Sequence, residues 1–261
     1  MKTISDRVAI VCPVYKTEWT KFEEISFKRV LTVMSSYDIY LCCPEGLKAE
    51  GLCDKYELKG CAEYFDKRFF KNVNSYSSLL MDSTFYERWR DNYDYILIYQ
   101  LDCYVFHSDL SRWINEQYDY VGAPWFEGYT NDNESNKIIG VGNGGLSLRK
   151  LETFFDISKN FSWSDLLRQS SVFGITRSYY KYLKHRIFKW RLNEDLFWGD
   201  IAPRMYDYYK LTSLEDSIAF SFERNPSMLF KKNNNQLPFG CHAFERYDID
   251  FWREHIPQLN N

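Results

Sequence analysis

Residues Tyr95-Ile-Leu-Ile-Tyr-Gln-Leu-Asp102 form an apolar run that ends in a carboxylate. Such a run is typical of a central parallel strand that is covered on both faces. In open α/β sheets, ligands bind beyond the carboxyl ends of such strands. Because burying an unpaired carboxylate is costly, we expect Asp102 to hold a metal ion, a cation-bound phosphate or a sugar hydroxyl. The alternative is that Asp102 caps the next helix.

Strand and helix patterns alternate over the first hundred residues. Strands are predicted at 7–13, 38–44, 62–65 and 95–102, and helices at 19–35 and 77–92. This alternation predicts an α/β fold with a mostly parallel central sheet flanked by helices. We see no linker or repeat, so we expect a single domain over 1–261, in which 1–102 is a nucleotide-binding type of half.

After Asp102 the pattern changes. A short helix is predicted at 108–116, a strand at 118–125, a polar loop tip at 131–136, and a short strand after the glycines at 140–145. Helical and aromatic segments continue from there to the end of the sequence.

The composition excludes several classes of protein. The sequence has 261 residues and a formal net charge of −3, which argues against general binding to nucleic acid. No apolar run approaches the roughly 18 residues that span a membrane, and residues 1–7 do not resemble a signal peptide. The Cys residues are scattered and form no C-x-x-C pair, so a zinc knuckle is not expected. The same scattered Cys residues lead us to expect a reducing, cytoplasmic compartment.

The segment Gly140-Val-Gly-Asn-Gly-Gly145 matches the pattern G-x-G-x-x-G. A dinucleotide-binding motif requires a helix after these glycines, whereas Leu146-Ser-Leu-Arg149 alternates like a strand. We therefore reject the dinucleotide interpretation. Two alternatives stay open: a simple glycine turn, or a backbone that comes close to a ligand, which glycine permits.

The segment Asn193-Glu-Asp-Leu-Phe-Trp198 opens a predicted helix with two adjacent carboxylates. Acidic residues at this position are favoured by the helix dipole, which is one explanation. The functional explanation is a general base, Asp195, beside an acid, Glu194, that binds an acceptor, because removing a proton from a hydroxyl needs a positioned carboxylate.

His242 lies in the apolar segment Pro238-Phe-Gly-Cys-His-Ala-Phe244. A single His among apolar residues is commonly a hydrogen-bonded core group, and metal ligation is the alternative. Residues 178–191 mix basic and aromatic side chains and could contact anionic lipid or an acceptor pyrophosphate, or form a solvated helix face. The sequence contains no P-loop, G-x-S-x-G or H-E-x-x-H, which disfavours NTPases, serine hydrolases and zincins.

In this order, several segments resemble motifs of GT-A-type glycosyltransferases. Residues 8–15 resemble the opening strand, Gln100-Leu-Asp102 the Asp-x-Asp metal motif, and 142–149 the Gly-rich strand under the donor sugar. Glu194-Asp195 resembles the acidic pair that carries the catalytic base of inverting members, and His242 a late metal-binding His. The chain is similar to a bacterial family of glycosyltransferase type with the signatures Tyr-Gln-Leu-Asp, Val-Gly-Asn-Gly-Gly, Glu-Asp-Leu-Phe-Trp and His-Ala-Phe.

This resemblance implies an inverting transferase that moves a sugar from a nucleoside diphosphate sugar, expected to be a UDP-sugar, to a glycan or lipid-linked glycan of a bacterial surface polysaccharide. It implies Mn²⁺ or Mg²⁺ on Asp102 and His242. Asp195 would be the catalytic base, and 103–261 the acceptor-binding half, with Glu194, Trp125 and Trp198 as acceptor contacts. The implied donor-binding residues are Pro13, Val14, Tyr15, Gln100, Leu101, Asp102, Asn143, Gly144 and Gly145. A peripheral contact with the inner membrane surface is also expected.

One position departs from the GT-A pattern, because Gln100 stands where the first Asp of Asp-x-Asp is found. A neutral amide lacks the charge of a carboxylate, although its carbonyl can orient a ribose or a water. The departure keeps open a second class, a non-catalytic protein that binds a carbohydrate or nucleotide sugar. A metal-dependent phosphohydrolase is a third class, but it usually needs more clustered Asp and His than this sequence has.

Overall fold

The apolar segment Val8–Pro13 forms β1, a strand near the middle of the central sheet, and every one of its residues is buried. The computed structural model describes residues 3–58, 60–127, 136–162 and 193–260. Its further strands are β2 (Asp38–Pro44), β3 (Ala62–Phe65), β4 (Tyr95–Tyr99), β5 (Cys103–Val105), β6 (Tyr120–Val121), β7 (Pro124–Phe126), β8 (Ile138–Val141), β9 (Leu146–Lys150), β10 (Ser221–Phe222) and β11 (Gly240–His242).

The central sheet has six strands in the order β3-β2-β1-β4-β9-β6. Strands β3, β2, β1 and β4 are parallel, and β9 is antiparallel to both of its neighbours, β4 and β6. The predicted α/β class with a mostly parallel sheet is therefore confirmed. The carboxyl ends of β1 and β4 meet the amino end of β9 at one edge of this sheet.

Helices cover both faces of the sheet. They are α1 (Lys21–Val33), α2 (Glu50–Lys55), α3 (Val73–Leu79), α4 (Ser83–Glu87), α5 (Ser111–Asn115), α6 (Leu151–Asn160), α7 (Glu194–Leu196), α8 (Ala202–Met205), α9 (Leu214–Phe220), α10 (Pro226–Lys232) and α11 (Ile249–His255). Phe197–Ile201 forms a π-helical turn between α7 and α8. Short 3₁₀ segments lie at Ser5–Arg7, Lys67–Phe70 and Pro257–Asn260.

Alternation along β1 and β4 divides the core into two layers. Ile10 and Leu97 point to the face covered by α1, whereas Val11 and Ile98 point to the face covered by α3, α4 and α6. This is the pattern of a strand buried on both sides, in which successive side chains alternate between faces. The near-continuous apolar character of these strands therefore reflects their central position.

Two predicted elements differ from the observed ones. The strand expected to reach Asp102 ends at Tyr99, and the chain turns before β5, with the Cys103 N–H donating to the Gln100 carbonyl at 2.9 Å. The helix expected over 77–92 is two short helices, because Asp82 accepts a hydrogen bond from the Thr84 N–H and so starts α4 as a separate helix.

A second, three-stranded sheet joins distant parts of the chain in the order β10-β11-β5. β11 is antiparallel to β5 and pairs His242 with Cys103. Asp102 therefore lies beside a residue 140 positions away in the sequence. This pairing, rather than any local pattern, brings the late His to the end of β4.

Residues 178–191 and most of the loop tip at 131–136 lie outside the described residues. The predictions made for them are therefore not addressed by the structure. Among the residues that it does describe, no helix is both long and apolar enough to cross a membrane.

Candidate active site

A cavity of about 330 Å³ opens at the edge of the sheet where β1 and β4 end. Its lining residues come from the segments after β1 and β4, from α1 and from the loop after β11: Pro13, Tyr15, Lys16, Trp19, Thr20, Phe22, Glu23, Gln100, Leu101, Asp102, Glu245 and Arg246. This is where a doubly wound sheet binds its ligand. The predicted donor residues Pro13, Tyr15, Gln100, Leu101 and Asp102 all line it.

A hydrogen-bonded cap fixes the α1 side of the cavity. The Glu23 N–H donates to Thr20 Oγ1 at 3.2 Å, and the Thr20 N–H donates to Glu23 Oε2 at 2.6 Å. This reciprocal capping box satisfies backbone donors that the first helical turn leaves unpaired. It also orients Glu23, whose Oε2 lies 2.9 Å from Lys16 Nζ.

Three potential ligand atoms converge where Gln100 and Asp102 line the cavity. His242 Nε2 lies 3.2 Å from Asp102 Oδ1 and 3.3 Å from Gln100 Oε1. Asp102 Oδ1 is buried, and the polar contact that the structure gives it is the ion pair with His242 Nε2. A carboxylate oxygen, an amide oxygen and an imidazole nitrogen are ligands that Mn²⁺ or Mg²⁺ accepts, so these residues fit a divalent cation.

Cys103 lies close enough to join this group, since its sulfur and the ligand atoms of Asp102 and His242 are within 4.8 Å of one another. Its thiol instead donates a hydrogen bond to the Gly145 carbonyl at 3.3 Å. Burial raises the pKa of the Cys103 thiol well above its usual value, and the charge of Asp102 adds to this. A neutral thiol is a poor metal ligand, so we leave Cys103 out of the cation site.

The carboxylates around His242 control its charge. Burial alone would lower the pKa of His242, but Asp102 and Glu223 outweigh burial and raise that pKa to about 10. For Asp102, burial acts to raise the pKa, while the charge and hydrogen bond of His242 lower it below its usual value overall. In the absence of a cation the two side chains therefore form an ion pair.

The sequence did not single out Glu223, which is almost fully buried with 4% exposure. Its Oε1 lies 3.2 Å from His242 Nδ1, and its Oε2 accepts a hydrogen bond from Asn143 Nδ2 at 2.9 Å. Asn143 in turn accepts, at Oδ1, a hydrogen bond from the Gly145 N–H at 3.0 Å. The predicted donor-binding residue Asn143 is thus linked to the imidazole.

Two consecutive glycines separate His242 from the acidic pair. A β-carbon built on Gly145 would lie 2.1 Å from His242 Nε2. A β-carbon built on Gly144 would lie 2.2 Å from Asp195 Oδ1 and 2.4 Å from Glu194 Oε1. The glycines are therefore required because side chains of the protein itself approach the backbone closely.

Glu194 is held by a buried ion pair. Arg149 Nη2 donates to Glu194 Oε1 at 3.1 Å, and Arg149 Nη1 donates to the Tyr86 hydroxyl at 3.1 Å. Arg149 is fully buried and Glu194 is 4% exposed, so this pair is shielded from water. Glu194 is thereby fixed in place.

Asp195 lies in the first turn of α7, where Asn193 caps the helix by accepting from the Asp195 N–H at 3.2 Å. Its side chain is only partly exposed. Burial, together with the charge and hydrogen bonding of Glu194, raises the pKa of Asp195 well above its usual value. A carboxylate with a raised pKa is a stronger base than an exposed Asp.

Two predicted contacts have buried side chains. Trp198 is fully buried, stacks on Phe154 with ring centroids 3.9 Å apart, and donates from Nε1 to the Leu80 carbonyl at 3.3 Å. It offers no face to a sugar, so its assignment as an acceptor platform is wrong. Val14 is also fully buried, and its N–H donates to the Cys42 carbonyl, so its side chain does not contact the cavity.

Trp125 is partly exposed and packs against the glycine backbone. β-Carbons built on Gly140, Gly142 and Gly199 would lie 3.2, 3.6 and 2.7 Å from its ring atoms. Trp125 therefore covers one side of the glycine-rich segment and also approaches Gly199. Its role as an acceptor contact stays a prediction.

Two basic residues of the cavity, Lys16 and Arg246, were missed from the sequence. Lys16 follows Tyr15 directly, and Arg246 follows His242 by four residues, so both are close in sequence to predicted site residues. The positive charge of Arg246 contributes to the lowered pKa of Asp102. These two basic side chains share the cavity with the carboxylates of Glu23, Asp102 and Glu245, and Lys16 is paired with Glu23.

The sequence of this chain was compared with protein families and with curated proteins. A family described as "Protein of unknown function (DUF5672)" matches residues 61–242. A search of curated protein sequences gives no match.

Solved glycosyltransferase structures are similar to the chain. Apo mouse xyloside xylosyltransferase 1 has a TM-score of 0.50 at 11% identity, covering 90% of this chain and 97% of that one. Galactosyltransferase LgtC in complex with donor and acceptor sugar analogs has a TM-score of 0.49 at 12% identity, covering 90% and 86%. A glycosyltransferase involved in glycosylation of the major capsid of PBCV-1 has a TM-score of 0.46 at 13% identity, covering 96% and 98%. The mostly parallel α/β fold is therefore similar to that of xyloside xylosyltransferase 1.

Proposed function

The chain belongs to the family described as "Protein of unknown function (DUF5672)", and from that premise we propose that it transfers a sugar from a nucleoside diphosphate donor to a hydroxyl of an acceptor. One observation carries this proposal. The Asp102–His242 pair and the Glu194–Asp195 pair contact Gly145 and Gly144, which are consecutive residues. Consecutive Cα atoms are about 3.8 Å apart, so the proposed cation site and the acidic pair lie next to each other along the glycine-rich segment.

The donor would bind along the cavity at the ends of β1 and β4. We place the nucleobase of the donor beside Pro13 and Tyr15. We place its diphosphate between Lys16 and Arg246, which are the cationic side chains of the cavity. Asp102, His242 and Gln100 would hold Mn²⁺ or Mg²⁺. A divalent cation there supplies charge neutralisation for the departing nucleoside diphosphate. We further propose that the donor is a UDP-sugar.

Transfer would take place beside Gly144 and Gly145, whose lack of side chains lets Asp195 and His242 lie close to the backbone. The acceptor oxygen attacks the anomeric carbon, the bond from that carbon to the diphosphate oxygen breaks, and Asp195 takes the hydroxyl proton. Arg149 keeps Glu194 in place beside Asp195, where Glu194 positions the acceptor with Trp125. With Asp195 as the base, we propose single-step displacement, which inverts the anomeric configuration.

The biological setting is proposed by analogy with soluble transferases that extend surface glycans. The acceptor would be a glycan or lipid-linked glycan of a bacterial surface polysaccharide, reached from the cytoplasmic side. We place a peripheral contact with the inner membrane surface at 178–191, where the sequence contains both basic and aromatic side chains.

A thermal-shift series with UDP, GDP, CMP and dTDP, each with and without Mn²⁺, tests donor binding. A ligand that binds the folded state raises the melting temperature by mass action. We expect one nucleotide to raise it in a Mn²⁺-dependent manner, and we expect Asp102→Ala to abolish that increase. No increase with any nucleotide would contradict the donor site.

A second function, binding of a nucleotide sugar without transfer, is favoured by Gln100. Its neutral amide contacts His242 Nε2 at 3.3 Å, where a carboxylate would supply a further negative charge for the cation. A nucleotide sugar that binds with Mn²⁺ but is never turned over would support this function.

A further inference from the structure

A continuous hydrogen-bonded chain runs behind the proposed cation site. It starts at the Gly145 N–H, passes through the side chains of Asn143 and Glu223, and ends at His242 Nδ1, with separations of 3.0, 2.9 and 3.2 Å. Asn143 is 2% exposed and Glu223 is 4% exposed, so water does not compete for these contacts. The chain lies on the side of the imidazole opposite to Asp102.

The sheet topology explains why Glu223 reaches His242. β10 is parallel to β11 and pairs Phe222 with Cys241. The next residues, Glu223 just after β10 and His242 at the end of β11, therefore lie side by side. A carboxylate at this position would be costly to bury without partners, and each of its oxygens has one.

We propose that Glu223 is the positioning residue of the cation site, and that it fixes His242 with Nδ1 protonated and with Nε2 directed at Asp102. This inference rests on the proposed metal-dependent function. A ligating His commonly donates its other ring N–H to a carboxylate, which sets its tautomer and orientation. Here the Nδ1–H donates to Glu223, so the lone pair of Nε2 is left for the cation.

The choice of Glu over Gln follows from counting donors and acceptors. Asn143 Nδ2 donates to Glu223 Oε2, and His242 Nδ1–H donates to Glu223 Oε1, so position 223 must accept twice. A carboxylate has two acceptor oxygens, whereas an amide has one acceptor and one donor. Gln at 223 would place its NH₂ group against Asn143, or against His242 in a manner that favours the tautomer protonated at Nε2.

Asn143 extends this effect to the backbone under the donor sugar. Its Nδ2 is a donor to Glu223 only if its Oδ1 faces the Gly145 N–H, as observed. The orientation of the amide is thus set from both ends. The same network that fixes the imidazole therefore also fixes the Gly145 peptide, which the proposed function places beneath the sugar.

Binding of Mn²⁺ alone to the full chain tests this inference, measured from the paramagnetic resonance of free Mn²⁺. We expect Glu223→Gln to weaken Mn²⁺ binding about 10- to 100-fold. Asp119→Asn is the matched control, because Asp119 is also buried and accepts hydrogen bonds from Thr153 and the Lys210 N–H, far from the cation site. It should bind Mn²⁺ as the wild type does.

A double variant separates hydrogen-bond direction from a general structural defect. In Asn143→Asp with Glu223→Gln, the Gln NH₂ group can donate to the new Asp, and the Gln oxygen can accept from His242 Nδ1–H. The net charge of the network is unchanged. We expect the double variant to recover most of the Mn²⁺ affinity that Glu223→Gln loses.

The outcomes distinguish this inference from the proposed function. Wild-type affinity in Glu223→Gln, or no recovery in the double variant, would overturn the role of Glu223 while leaving the transferase proposal intact. A wild-type chain that binds no Mn²⁺ would overturn both the cation site and the inference that rests on it.

Discussion

His242 and Asp195 contact adjacent glycines from two distant parts of the chain. A β-carbon on Gly145 would lie 2.1 Å from His242 Nε2, and a β-carbon on Gly144 would lie 2.2 Å from Asp195 Oδ1. The proposed cation site and the proposed base therefore contact consecutive residues of the backbone. This spacing is the structural basis of the predictions below.

Replacing each glycine should damage a different part of the site. Gly145→Ala would push His242 away from Asp102, so we expect loss of Mn²⁺ binding. Gly144→Ala would displace Asp195 and Glu194, so we expect loss of transfer with Mn²⁺ binding kept. Overpacking of this kind typically costs about 1–3 kcal/mol of stability.

Gly51→Ala is the control for both glycine variants, because a β-carbon at Gly51 meets nothing within 4 Å. Gly51 lies in α2, where Ala is the better helix former, so stability should hold or rise. Equal Mn²⁺ affinity in Gly145→Ala and the wild type would show that His242 does not depend on this glycine.

Asp195→Asn should abolish transfer, preserve donor binding and stabilise the folded protein at neutral pH. The pKa of Asp195 is raised in the folded state, so its ionisation opposes folding. This loss of stability is absent below the unfolded pKa of about 3.9 and grows as the pH rises towards the folded value. Asn at position 195 has no charge, so the variant does not lose stability in this way.

Melting temperatures of the wild type and Asp195→Asn at pH 4 and pH 7 test this sign. The variant should melt higher at pH 7, with a gain of about 2–4 °C for each kcal/mol, and the gain should shrink towards pH 4. A variant that melts lower than the wild type at pH 7 would mean that the folded protein stabilises the charged Asp195.

Removing Arg149 should be strongly destabilising. Arg149→Met leaves Glu194 buried without its cation, and breaking a buried pair in this way typically costs about 3–5 kcal/mol. Adding Glu194→Gln removes the unpaired charge, so the double variant should be more stable than Arg149→Met alone. Urea denaturation of the four proteins measures the coupling energy.

The outcome for the Arg149 series depends on burial. If Arg149→Met lowered the free energy of unfolding by less than about 1 kcal/mol, the Arg149–Glu194 pair would behave like an exposed salt bridge. That result would contradict the claim that this pair is shielded from water. Arg253→Met is a suitable comparison, because Arg253 forms an exposed pair with Asp250.

Trp125 and Trp198 should respond differently to replacement. Trp198→Phe changes the core beside Phe154, so it should lower the melting temperature and leave the affinity for acceptor unchanged. Trp125→Ala should raise the KM for acceptor and leave Mn²⁺ binding unchanged. Equal effects of the two variants on acceptor KM would contradict the division between a core and a site tryptophan.

The central sheet was predictable because its strands carry local signals. β2 and β3 match the predicted ranges 38–44 and 62–65, and the strand before Asp102 was identified from its apolar run. The break between α3 and α4 was not predicted, because the apolar residues on either side of Asp82 also fit one continuous helix. A single capping side chain decides between the two.

Within the site, the sequence identified the residues whose types suggest chemistry, and the structure brings Gln100, Asp102, Gly145 and His242 together. Their roles stay predictions. Glu223 was missed because its contact with His242 depends on the pairing of β10 with β11, which no local pattern reveals. Trp198 was assigned to the site because an aromatic residue in a helix gives no sign of which face is buried.

The most direct test of the central claim is turnover of a nucleotide sugar. UDP-sugars would be incubated with the wild type, Asp102→Ala and Asp195→Asn, and release of the nucleoside diphosphate would be followed with and without Mn²⁺. We predict Mn²⁺-dependent release by the wild type, slow with water as acceptor and faster with a glycan hydroxyl, and loss of release in Asp102→Ala. A donor that binds with Mn²⁺ but is never cleaved, with or without acceptor glycans, would contradict transfer and establish a binding protein.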